Sequence, residues 1–111
     1  MDSLELNVTS GKIGKGFRVW HGHGTVIFCE SIGENCAIYQ GVTLGRGRSN
    51  QEGRDIPTIG NNVNIFANAV VIGGINIGNN VDIGAGAIVT HDVPDKCVIA
   101  GVPARVIRNK Q

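Results

Sequence analysis

"IGNNVNIFANAVVIGGINIGNNVDIGAGAIVT", residues 59–90, holds twelve Ile or Val and seven Asn in 32 residues, with no Lys or Arg. On a ruler of six, Ile59, Ile65, Val71, Ile77, Ile83 and Val89 fall on one phase. Four residues after each stands a second apolar residue: Val63, Ala69, Ile75, Val81, Ala87 and Val93. A period of six matches neither the 3.6 of an amphipathic helix nor the 2 of a simple strand. It matches a chain that turns a corner every six residues. Each side is a short strand, and each corner takes Gly, Asn or Asp, which tolerate turn backbone angles. Three sides close a coil of about eighteen residues, and stacked coils pair as parallel sheets. The aliphatic residues then fill a narrow prism, which has little room for aromatic rings.

Outward from this stretch the ruler continues toward the N-terminus with one slip. Ile13 and Val19 share a phase, and Val26, Ile32, Ile38 and Leu44 follow one residue later, so the slip lies within "HGHGTVI". The expected fold is all-β: a single domain over residues 1–111, a parallel β-helix of hexapeptide repeats with one projecting loop.

The bulk numbers narrow the function. A net charge of +1 makes no electrostatic case for nucleic acid or an anionic membrane. No apolar run is long enough to span a bilayer. The opening "MDSLELNVTS" lacks the basic-then-apolar order of a signal peptide. Cys29, Cys36 and Cys97 are odd in number and lack CxxC spacing. They read as reduced, small apolar residues, and the expected location is cytoplasmic.

Function tends to sit where a regular pattern breaks. One break is "VWHGHGTV", residues 19–26; the other is the polar "GRGRSNQEGRDIPT", residues 45–58, expected to project from a prism corner. His21 and His23 flank Gly22 in the first. They supply two nitrogens to a metal that needs at least a third protein ligand, or one of them acts as a general base near neutral pH, or they are a surface pair. His91 is the only other histidine, so no metal is expected.

"FRVWHGHGTVI", "GENCAIYQGVTLG" and "GAGAIVTHDVPDKCVIAGVPARVIR" together resemble the hexapeptide-repeat acyltransferases. The likeness is sharpest to serine acetyltransferases and to related O-acetyltransferases of capsule and O-antigen synthesis. It runs from about Lys12 to Arg108. It implies a left-handed β-helix, a homotrimer with sites between subunits, and direct acetyl transfer from acetyl-CoA with no metal. By the same likeness His21 is the general base; His23 falls on a position that is not catalytic in serine acetyltransferases, and it, Trp20 and Glu5 are kept as supporting candidates. Ala67, Ala85, Thr90, His91, Arg105 and Arg108 match positions that meet the coenzyme, whose end lies at about 84–108. Arg suits its phosphates, which it binds in two-pronged fashion.

The departures fall on the acceptor side. Serine acetyltransferases carry Asp where this chain has Trp20, and "Arg-His-Pro" where it has Asp55, Ile56 and Pro57. Their His-orienting Asp falls on Leu6, or on Glu5 with one residue inserted. Trp20 offers a flat ring of the kind that holds a sugar. The expected acceptor is therefore a hydroxyl of a sugar or glycan precursor, with serine as the alternative and a non-catalytic β-helix scaffold as a further one.

Overall fold

In the computed structural model of the protein, residues 4–110 are described. They form strands β1 (Leu4–Ile13), β2 (Arg18–Trp20), β3 (Thr25–Ile32), β4 (Ala37–Tyr39), β5 (Thr43–Gly45), β6 (Thr58–Ile59), β7 (Asn64–Ile65), β8 (Val70–Ile72), β9 (Asn76–Ile77), β10 (Val81–Ile83), β11 (Ile88–Val89), β12 (Cys97–Ala100) and β13 (Arg105–Asn109).

The strands wrap as a parallel β-solenoid with three faces. The first is built from the starts of β1 and β3, then β5, β8 and β11. The second takes the ends of β1 and β3, then β6, β9 and Val93. The third stacks β2, β4, β7, β10 and β12. Strand β13 returns antiparallel to β12 and ends the third face. The ruler of six is the core: all twelve residues of the two apolar series in 59–93 are buried.

The repeated "IGNNV" is one corner written twice. Ile59 and Ile77 point inward. A Cβ on Gly60 would stand 2.7 Å from the Gly78 carbonyl oxygen, so only glycine lets the coils stack there. Asn61 Oδ1 accepts from the Glu34 amide at 2.8 Å, and Asn79 Oδ1 accepts from the Asn61 amide at 2.8 Å. Asn62 and Asn80 take positive φ, 57° and 60°, to turn the chain, a conformation Asn tolerates. Asp95 and Lys96 repeat the scheme in the last coil, where Asp95 Oδ1 accepts from the Asn79 amide at 2.7 Å.

One inward assignment is corrected. Ile27, not Val26, is buried and pairs with Leu44. Val19 and Ile27 are eight residues apart where Ile38 and Leu44 are six apart, and Ile27 to Ile32 takes only five. Two residues are gained at the His corner and one is lost on the next side. The net slip of one was visible in sequence; its two parts were not.

Candidate active site

The gained residues make the His corner bulge. His21 is exposed with φ 52°. The other non-glycine residues with positive φ among those described are Asn or Lys at regular corners. A His held in this region signals strain that the surroundings must support. The support is visible: the His23 amide donates to the His21 carbonyl at 2.7 Å, and the Gly41 amide donates to the His23 carbonyl at 2.9 Å. The fully buried Thr25 hydroxyl also accepts from the Gly41 amide at 3.1 Å. These bonds tie the bulge to the coil above and present an imidazole to solvent on a fixed backbone.

Beside it runs a line of rings. Trp20 pairs with Tyr39 in register, and Phe66 occupies the same place one coil further. Trp20 and Tyr39 have centroids 6.4 Å apart, Tyr39 and Phe66 4.9 Å. Trp20 is 46% exposed. Sequence reading found Trp20 and missed the other two, because offsets of 19 and 27 residues hide the stacking.

Ala67 and Ala85 lie on the same prism edge as His21, one coil apart, with the Gly86 amide donating to the Ala67 carbonyl at 2.9 Å. Their methyl groups leave this edge low. From it the first face crosses past the half-buried Val70, Ile72 and Ile88 to the opposite edge, which carries Thr90, His91 and the 45–58 loop. Arg48, Ile72, Thr90 and His91 line a cavity of about 340 Å³ there. Arg105 joins Thr90 and His91 around a smaller one of about 60 Å³.

Arg108 is not brought into either cavity. It pairs with Val98 on the third face, next to the row where Lys110 bridges Asp82 at 3.0 Å. Arg48 is the residue that sequence reading missed; nothing in the loop's composition separated it from Arg46 and Arg54. Glu5 and Leu6 pair with Val26 and Ile27, so Leu6 follows the inward series and Glu5 the outward one. The Glu5 carboxylate makes no hydrogen bond with His21. Among the described residues no three His, Cys, Asp or Glu side chains are grouped to hold a metal, and no helix is long and apolar enough to cross a membrane.

The loop is ordered by its own bonds. Ile56 and Pro57 are buried, the Gly47 amide donates to the Asp55 carbonyl at 2.9 Å, and Arg46 pairs with Asp55 at 3.1 Å while lying 5.3 Å from the Phe28 ring centroid. The cysteines are buried and unpaired. Burial, then the nearby Glu30 and Cys36, pushes the Cys29 thiol up to about 12, so it is no ready nucleophile.

No family model matches the chain. The serine acetyltransferase of Synechococcus elongatus is 50% identical over 97 residues, covering 86% of this chain and 39% of that protein. Among solved structures, the Neisseria gonorrhoeae serine acetyltransferase superposes with a TM-score of 0.80 at 38% identity, over 90% of this chain and 38% of that one. A serine acetyltransferase in complex with CoA gives 0.78 at 35% identity, over 92% and 42%. Another, in complex with cysteine, gives 0.81 at 35%, over 92% and 43%. The chain thus spans less than half the length of the relatives it matches. From the coil repeat through the His corner to the C-terminal return, it belongs to the serine acetyltransferase family of hexapeptide-repeat β-helix acyltransferases.

Proposed function

We propose that the chain catalyses acetyl transfer from acetyl-CoA to a hydroxyl, with serine as the acceptor and His21 as general base. The observation that carries this reading is the 50% identity to a serine acetyltransferase over 97 residues, 86% of this chain. The relatives solved with CoA and with cysteine support a thioester donor and an amino-acid acceptor.

The fit of the donor rests on the low edge at Ala67 and Ala85, the apolar crossing over Ile88 and Ile72, and the basic end at Arg48, His91 and Arg105. The neutral imidazole of His21 takes the acceptor hydroxyl's proton as the oxygen attacks the thioester carbonyl. Backbone amides of the Gly-rich corner or the loop stabilise the oxyanion. The carbon–sulfur bond then breaks, and the departing thiolate takes the proton from His21. By family likeness the working form is a homotrimer with sites between subunits, so the donor edge and His21 of one site need not come from one copy.

A second reading, a sugar or glycan hydroxyl as acceptor, is favoured by one observation: the exposed Trp20 beside His21, backed by Tyr39 and Phe66. Aromatic faces pack well against the C–H faces of sugar rings. One experiment addresses both. Thiol release from acetyl-CoA is measured with L-serine and with a panel of monosaccharides and nucleotide sugars, using wild type and His21→Ala. The main reading expects serine-dependent release that falls about 10²- to 10⁴-fold in His21→Ala. Release with sugars alone moves the acceptor to the second reading. Equal transfer by His21→Ala overturns the general-base role.

A further inference from the structure

Three arginines lie in the 45–58 loop, and two of them are committed. Arg46 pairs with Asp55 at 3.1 Å, and Arg54 donates to the Thr58 hydroxyl at 3.3 Å. Arg48 is exposed, has no ion pair or side-chain hydrogen bond among the described residues, and faces Thr90 and His91 across the 340 Å³ cavity. An adjoining cavity of about 420 Å³ brings Arg48 and Asn50 together with Gly74, Thr90, His91 and Asp92. Asp92 Oδ1 accepts from the Asn76 amide at 2.9 Å, and its carboxylate is the one acidic group lining this cavity, opposite the cationic Arg48 side.

What holds Arg48 there is Asn50. Its Oδ1 accepts from the Glu52 amide at 2.9 Å and from the Arg54 amide at 3.0 Å. Its Nδ2 donates to the Gly74 carbonyl at 3.1 Å, and the Gly74 amide donates to the Arg48 carbonyl at 2.9 Å. One side chain thus closes the loop upon itself and fastens it to the next coil. The fastening point has to be glycine, since a Cβ on Gly74 would collide with the Arg54 carbonyl oxygen.

We propose that Asn50 is a positioning residue that fixes the loop on Gly74, and that the arginine it positions, Arg48, binds the diphosphate of the donor. A guanidinium grips phosphate oxygens in two-pronged fashion and needs a fixed backbone for that geometry to persist. The assignment of the ligand rests on the acetyl-CoA reading above; the fastening by Asn50 does not.

The test compares wild type with Arg48→Ala and Asn50→Ala on two donors: acetyl-CoA, and S-acetyl-N-acetylcysteamine, which has the thioester but no diphosphate. Arg48→Ala is expected to raise KM for acetyl-CoA about tenfold or more, the worth of one charge-assisted pair, with kcat within twofold. Its kcat/KM for the truncated donor should stay at the wild-type value. Asn50→Ala should show the same split and, in addition, faster tryptic cleavage after the loop arginines in the folded protein. An equal loss on both donors in Arg48→Ala overturns the phosphate contact. Unchanged tryptic cleavage in Asn50→Ala overturns the positioning role. Wild type that turns over neither donor overturns the donor reading and the Arg48 contact together, and the trypsin comparison still decides Asn50.

Discussion

Asn61, Asn79 and Asp95 perform one task in three successive coils: a side-chain oxygen satisfies a main-chain amide of the coil before it. Only the acceptor matters, which is why Asp serves in the last coil. Asn79→Asp is therefore expected to be near neutral, while Asn79→Ala leaves the Asn61 amide without its partner and costs about 1 kcal/mol. Urea denaturation of the two variants checks this. Gly60→Ala places a methyl group against Gly78 and should cost about 1–3 kcal/mol by the same measurement. Cys29 makes a pH prediction. Its thiol is raised from 9.0 to about 12 in the folded chain, chiefly by burial. The unfolded chain therefore loses that proton first, and the contribution of Cys29 to stability is full below pH 9 and declines between pH 9 and about 12. Cys29→Ala should show a shallower alkaline loss of stability than wild type in denaturant titrations across that window.

At the scale of elements, the loop is an insertion of countable size. Ile32 and Ile59 are coil partners 27 residues apart, whereas Ile59 and Ile77 are 18 apart, so the loop adds nine. The Gly47 amide and Asp55 carbonyl, at the two ends of a nine-residue segment, are hydrogen-bonded. Removing 47–55 while keeping the buried Ile56 and Pro57 should leave a solenoid with native circular dichroism and, if the proposed function holds, raise KM for acetyl-CoA at least as far as Arg48→Ala does. The same elements mark how far sequence could be read. Six in-phase repeats were legible because each inward position recurs at an unbroken interval. The Ile27 assignment failed where a gain and a loss nearly cancel. The stacking of Trp20, Tyr39 and Phe66 was hidden by unequal coil lengths. The antiparallel return of β13 was hidden too, since its strand carries no hexapeptide phase. Of the residues matched to coenzyme positions, Thr90, His91 and Arg105 line one cavity, and Arg108 lies outside it on the third face.

For the whole molecule, a thin prism offers edges and shallow cavities rather than a deep pocket. The exposed Trp20 and the half-buried Val70, Ile72 and Ile88 leave apolar surface on two neighbouring faces. The homotrimer proposed from family likeness predicts about three times the 11.7 kDa chain mass by sedimentation equilibrium. A monomer at working concentration that retains full activity would remove the shared-site proposal.

The side-chain bonds of Asn61, Asn79 and Asp95 also have a direction along the chain. In each, the donor belongs to the earlier coil and the acceptor to the later one. At these three corners each coil is therefore completed by the stretch of chain that follows it. The longest span is that of Glu34, whose partner Asn61 lies 27 residues later, beyond the loop. Each corner bonded in this way is completed only by residues that follow it in the chain, so a C-terminal truncation before residue 95 leaves the Asn79 amide without its partner.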